Sequence, residues 1–165
     1  MPGSTVAETA AIQDILVEDG KFISIAPNLK ATLEAQGKDM ESVEVVDLGG
    51  KLVCPPFCDT HLHLDYVFTA RKPGAVNESG TLFEGIQRWS ETKADLTVDE
   101  IKERAKIGIA KEMRHGVQFI RSHADVTDPN LTSLKALLEL KEELKDTVTL
   151  QIVSFPQEGM YSYEG

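Results

Sequence analysis

The chain has 165 residues, 41% of them hydrophobic, enough to bury a core and to exclude a wholly disordered segment. Its 27 acidic side chains outnumber 17 basic ones, for a formal net charge of −10 at pH 7. Such a surface repels phosphate backbones and anionic lipid heads, which argues against nucleic-acid and membrane partners but leaves uncharged small molecules open.

The opening stretch, Met1 to Ala11, is polar and rich in small residues, so no secretory signal is expected. No apolar run approaches the roughly 18 residues of a membrane span. Two β-rich runs, 14–17 and 22–25, flank Asp19-Gly20 and read as a hairpin. Residues 28–42 are polar and mixed, a short helix or a loop, and Val43 to Asp47 reads as a further extended run closed by Gly49-Gly50. Residues 1–51 are thus expected to form a small N-terminal β segment. Leu52 to Asp59 is a short apolar strand that Pro55-Pro56 interrupts. Cys54 and Cys58 are too few for a disulfide framework. Their spacing could in principle bind a metal, but both are expected to be buried strand residues in a reduced cytosol.

Residues 66–80 form a long loop, and Thr81 to Lys93 reads as a helix with Phe83, Ile86 and Trp89 on one face, Trp89 as core. Thr97 to Glu100 is a capping box. The helix behind it is expected to bury Ile101, Ala105, Gly108, Ile109 and Met113, with His115 complementing its dipole and Gly116 ending it. Val117 to Asp125 follows as a strand. Asp128-Pro129 reads as an N-cap with proline at the first helical position, and Leu134, Leu137, Leu138 and Leu144 as that helix's apolar stripe. Lys141 to Glu143 reads as a solvated face, and Val148 to Phe155 as a third strand. Strand–helix alternation across 52–155 predicts an α/β fold with a parallel sheet.

The sharpest chemical signal is Asp59-Thr60-His61-Leu62-His63 at a strand's C-terminal end. Residues two apart on a strand project to one side, so His61 and His63 aim their imidazoles at one point. Imidazole nitrogen ligates zinc, iron and similar divalent ions, although an isolated H-x-H also occurs by chance on solvated or structural strands.

The whole stretch from Val46 to His63 resembles the first-strand signature of the amidohydrolase superfamily: an acidic residue and a glycine turn, a Gly-Lys-apolar run, a proline-rich kink and a D-x-H-x-H ending. It departs at Pro56, where that superfamily commonly has glycine. Asn77 to Ile86, Arg121 to Val126 and Phe155 to Gly159 resemble segments of the bacterial cytosine deaminases within it. The first 15 or so residues match less well.

The resemblance implies a partial (β/α)8 TIM barrel of about three strands, beginning near residue 52. The β segment before it would be part of a composite β-sandwich. It also implies hydrolytic deamination of a pyrimidine-type base in the cytoplasm, with one divalent ion, iron or zinc. His61 and His63 would be two of its ligands. Gln157 would offer its amide to the ring, Leu82 would lie against the base, and Phe155 would line the pocket. By the residues alone Gln157 is a loop side chain bonding its neighbours. His123, at a strand end, would be either catalytic or a hydrogen-bonded support behind the ligands, with Asp125 in a similar supporting place. The acid–base groups and remaining ligands come from later strands in that family. A full barrel needs roughly 250 residues, so the chain is expected to be an incomplete N-terminal part, inactive alone, its third strand left as a sheet edge. The ring stays open (cytosine, or an isocytosine, creatinine, triazine or hydantoin type), as does a homo-oligomer of the full-length form. A small non-catalytic α/β binding module is the competing class.

Overall fold

The computed structural model describes residues 11–161. The polar opening, apart from Ala11, lies outside the described residues, as do residues 162–165. The chain divides into two compact units, the boundary falling between Cys54 and Pro55.

In the first unit, β1 (Asp14–Glu18) and β2 (Lys21–Ala26) form an antiparallel hairpin closed by the pair Glu18 and Lys21. Asp19 and Gly20 take positive φ values of 50° and 71°, as a two-residue turn matched to strand twist requires. Helix α1 (Leu29–Ala35) has no side-chain cap from Asn28; instead Asp14 Oδ2 accepts from the Leu29 amide at 2.8 Å. The expected run at 43–47 is extended at Val43 but joins no strand among the described residues. Phe22, Ile25 and Leu52 are exposed, so this unit shows apolar side chains to solvent.

The second unit carries β3 (Phe57–Leu62), α2 (Leu82–Lys93), α3 (Val98–Arg114), β4 (Val117–Asp125), α4 (Thr132–Glu143) and β5 (Thr149–Phe155). Its three strands are parallel in the order β3-β4-β5, joined by helical crossovers: the opening of a (β/α) barrel, with β5 an edge among the described residues. The first strand starts only after Pro55-Pro56, because proline brings no N–H to a ladder. Both cysteines are exposed free thiols, correcting the expectation of burial: Cys54 precedes the strand, and Cys58 lies on β3, which among the described residues has a ladder partner on one side only.

Helix α3 packs Ile101, Ala105, Gly108 and Ile109 onto the sheet at the expected spacing, while Met113 is only half-buried. A Cβ at Gly108 would lie 3.5 Å from Leu64 Cδ2, ordinary contact with that fully buried leucine, so the helix packs closely there. Gly116 ends the helix at φ 86° behind His115, the C-cap. The capping box is complete, with Thr97 Oγ1 accepting from the Glu100 amide and Glu100 from the Thr97 amide. Thr97→Ala is therefore expected to cost about 1 kcal/mol in urea unfolding.

Two apolar stripes differ from expectation. On α2, Trp89 is buried but Phe83 is exposed. On α4, Leu137 is joined in the core by Ala136 and Leu140, while Leu138 is half exposed. The expected N-cap at Asp128 is also corrected: α4 starts at Thr132 behind Leu131, which adopts the left-handed conformation. Asp128 still serves the helix end, Oδ1 accepting from Asn130 N and Oδ2 from Thr132 N at 3.0 Å. Glu143, expected to be merely solvated, pairs with Lys102 and Lys106 of α3. Among the described residues no helix is long and apolar enough to cross a membrane.

Candidate active site at the strand ends

The ladder between β3 and β4 slips between Asp59 and Leu62, placing three steps of β3 against two of β4. Such a bulge frees a backbone amide and re-aims a side chain. Here the freed amide is that of His61, and Asp59 Oδ1 accepts from it at 2.9 Å. The first aspartate of the D-x-H-x-H pattern thus holds the histidine strand in its bent form. His63 lies one residue beyond β3. The chain stays anchored there because Leu64 N–H donates to the buried Ser122 Oγ at 3.0 Å.

His61 Nε2 and His63 Nε2 stand 3.3 Å apart. Two nitrogens bound to one ion at roughly 2.0–2.1 Å and a tetrahedral angle would span about 3.3 Å, so the pair fits a shared cation. His63 Nδ1 lies 3.1 Å from the His123 carbonyl. A carbonyl only accepts, so Nδ1 carries the hydrogen and Nε2 presents its lone pair to the centre. Burial, then the neighbouring His61 and His123, lower the His63 pKa and keep the ring in the neutral form a metal requires. Among the described residues no set of three or more His, Cys, Asp or Glu side chains is arranged to hold a metal.

The His123 ring stacks on His61 with centroids 4.2 Å apart, and its Nδ1 is buried without a hydrogen-bond partner in the structure. Phe155 meets His63 and His123 edge-on at 5.3 and 5.7 Å, so it covers the imidazoles from the β5 side. Tyr66 stacks on His63 at 4.8 Å and approaches Trp89 at 4.9 Å, a contact that sequence reading did not anticipate.

Asp125, the last residue of β4 and two residues beyond His123, is 2% exposed. Its carboxylate accepts from Trp89 Nε1 at 2.7 Å, Lys93 Nζ at 3.2 Å and the Thr127 amide and hydroxyl. Burial pushes this carboxyl upward, but the Thr127, Trp89 and Lys93 donors outweigh it and hold it ionised below its ordinary range. Its own amide donates to Asp65 Oδ2 at 2.8 Å, and burial raises the Asp65 pKa to about 6.

Leu82 and Gln157 line one cavity of about 600 Å³ with Tyr66, Asn77 and Trp89. Leu82 is the first residue of α2 and stays exposed. The segment Asn77 to Thr81 is folded tightly in front of it: Glu84 accepts from the Glu78 and Ser79 amides, and Asn77 accepts from the Gly80 amide. Gly85 makes room for Asn77, whose Nδ2 would lie 3.3 Å from a Cβ there. The Ser79 and Glu78 hydrogen bonds lower the Glu84 pKa from 4.5 to about 2. A depressed carboxyl stabilises the folded loop above its unfolded pKa and loses that contribution as pH falls through the folded value. Carbon-13 NMR at pH 4.5, where an ordinary glutamate is half-protonated, should therefore find Glu84 almost fully ionised.

The structure thus gathers His61, His63, His123 and Phe155 into one cluster, buries Asp125 against Trp89 and Lys93, and sets Leu82 and Gln157 on the cavity wall. Sequence reading gave no role to Asp59, Tyr66 or Lys93. Only Asp59 carried a signal, as the first residue of the histidine motif.

This arrangement has known counterparts. The sequence pattern of the amidohydrolase family matches residues 44–165. The structure is similar to that of 5-methylcytosine deaminase from Klebsiella pneumoniae liganded with 5-fluorocytosine, with TM-score 0.76 and 41% identity over 93% of this chain and 35% of that one. It is 29% identical to N-isopropylammelide isopropyl amidohydrolase of Pseudomonas sp. strain ADP over 94% of this chain and 38% of that protein. It is 28% identical to pterin deaminase of Rhizobium rhizogenes strain K84 over 89% of this chain and 32% of that protein. The chain spans about a third of the length of these relatives. With the bulged histidine strand at the rim of a parallel sheet and a family match running from residue 44 to residue 165, the chain belongs to the amidohydrolase family, and its likeness is to the N-terminal portion of a cytosine-type deaminase.

Proposed function

We propose that this chain is part of a metal-dependent aminohydrolase that converts cytosine and water to uracil and ammonia in the cytoplasm. The convergence of His61 and His63 Nε2 at 3.3 Å carries the reading. A divalent ion, iron or zinc, supplies Lewis acidity and water activated near neutral pH when bound there. The chain's own side chains hold the ion, orient the ring and exclude water.

His61 and His63 provide two neutral nitrogens, oriented by Asp59 and by the His123 carbonyl. The Gln157 amide offers one acceptor and two donors, which complements the amide-like edge of a pyrimidine ring. Leu82 supplies an apolar wall at the start of α2, and Phe155 keeps water from the side of the imidazoles it covers. His123 and Asp125 support this cluster from behind. Proton transfer to the leaving amine falls to residues outside this chain, on later strands. The hairpin of β1 and β2 belongs to a composite β-sandwich, a reading supported by exposed Phe22 and Ile25 on β2.

A second reading keeps the chemistry and changes the ring, favoured by the similarity to the N-isopropylammelide enzyme across 94% of the chain. Turnover by the full-length protein of cytosine, 5-methylcytosine, isocytosine, creatinine and hydroxylated triazines, read as ammonia released, and of N-isopropylammelide, read as isopropylamine released, separates the two. Turnover of cytosine is expected. Turnover of another ring with cytosine untouched overturns the substrate assignment, and no metal-dependent turnover of any ring favours a non-catalytic binding module.

A further inference from the structure

Lys93, the last residue of α2, reaches three oxygens: Asp125 Oδ2 at 3.2 Å, Thr127 Oγ1 at 2.6 Å and Glu158 Oε1 at 2.6 Å. An ammonium has three N–H donors, so all three can be engaged at once. The side chains are 9% exposed for Lys93, 3% for Asp125 and 16% for Glu158. Asp125 is the last residue of β4, whereas Glu158 lies three residues past the end of β5. One cation therefore joins the ends of two neighbouring strands to the helix that begins at Leu82.

Gln157 immediately precedes Glu158 in a turn closed by Gly159 N–H donating to the Pro156 carbonyl at 3.0 Å. A turn this short does not define where a cavity-lining amide stands. The ion pair does, because it fixes the neighbouring residue to α2. Stability is a weak reason to keep such a pair: a buried ion pair commonly gives no net gain over an apolar replacement of like volume. Burial disfavours the Lys93 cation, yet Glu158 and Asp125 raise its pKa and keep it charged, so the clamp stays closed across the neutral range.

We propose that Lys93 and Glu158 are positioning residues that hold Gln157 at a fixed distance from Leu82, and so set the affinity of the site for the substrate ring. This rests on Gln157 as a ring contact. A hydrogen bond to the ring stretched by about an ångström is lost, at a cost on the order of tenfold in affinity.

The test uses the full-length enzyme with cytosine, comparing Glu158→Ala and Lys93→Met in the native and the Gln157→Ala backgrounds. Each single change is expected to raise KM by on the order of tenfold with kcat nearly unchanged. In the Gln157→Ala background each should add little, because the residue they act through is gone. Losses that add in full, or that fall on kcat alone, overturn the proposal. Lys93→Arg should recover most of the affinity. If Lys93→Met does not fold, Glu158→Ala still decides, since it leaves Lys93 paired with Asp125.

A second arm needs no substrate. Hydrogen exchange of the Gly159 amide should speed up about tenfold in Glu158→Ala, the scale of losing a local restraint of about 1.4 kcal/mol. Unchanged exchange overturns the proposal. If the native enzyme leaves cytosine untouched, the substrate reading fails alone, and Gly159 exchange still decides the tether.

Discussion

Alanine at His61 or His63 in the full-length enzyme is expected to lower kcat/KM for deamination by about 1000-fold or more, and to lower bound metal in parallel. Under the proposed function each imidazole is a nitrogen ligand, so its loss weakens a charge-stabilising centre worth several kcal/mol in the transition state, and each 1.36 kcal/mol is a factor of ten. Folding should change little for His61→Ala, because His61 is exposed at the strand end. Ammonia release, metal content by atomic absorption and a thermal melt together check it. His115→Ala is the matched control: it sits at the C-cap of α3, away from the strand-end cluster, and should keep full activity. Loss of activity with metal content intact would point to a different role for the pair.

The second large effect concerns stability. Asp125→Ala is expected to cost on the order of 3 kcal/mol in denaturant unfolding, because it leaves the buried Trp89 indole N–H without its acceptor and takes one of its oxygens from Lys93, which keeps Glu158 and Thr127. Asp125→Asn should cost less, since its amide oxygen can still accept from Trp89 or Thr127. The pH dependence has a definite sign. The folded Asp125 pKa lies below its ordinary value, so its contribution is present above the unfolded pKa and is lost as pH falls through the folded one. The native protein should therefore weaken in acid relative to neutral pH more steeply than Asp125→Ala does. Lys93→Met with Asp125→Leu should recover only part of the lost stability, because the Trp89 indole and Thr127 still lose their acceptor and Glu158 loses an ion-pair partner. Under the tether proposal it would still bind cytosine poorly, which separates stability from position.

How much of this was legible in the sequence follows from how local each cause is. The bounds of β4, the capping box and the Gly116 stop depend on neighbouring residues, and all three are where the sequence puts them. Asp128-Pro129 misleads because an aspartate can hold a turn as well as cap a helix; here its two oxygens serve Asn130 and Thr132, and the helix waits for Leu131 to pass through the left-handed region. Phe83 and Leu138 mislead for another reason. Helical spacing identifies an apolar side chain on a face, but not whether another element covers it.

The same distinction holds for the site. The approach of His61 and His63 needs only alternation along five residues, so the motif shows it directly. The bulge that sharpens it depends on the pairing of β3 with β4. The stacking of His123 on His61 and the Lys93–Glu158 contact join residues 62 and 65 apart in the chain, respectively. Nothing in the local pattern of either partner announces them. Long-range charge and ring contacts become visible only when the topology is known.

X-ray absorption at the metal edge of the purified full-length enzyme probes the imidazole pair most directly. Nitrogen scatterers at about 2.0–2.1 Å with the outer-shell signature of imidazole are expected, diminished in His61→Ala and in His63→Ala. A fully active enzyme whose metal shows no imidazole, or the same spectrum after both histidines are replaced, would contradict the assignment.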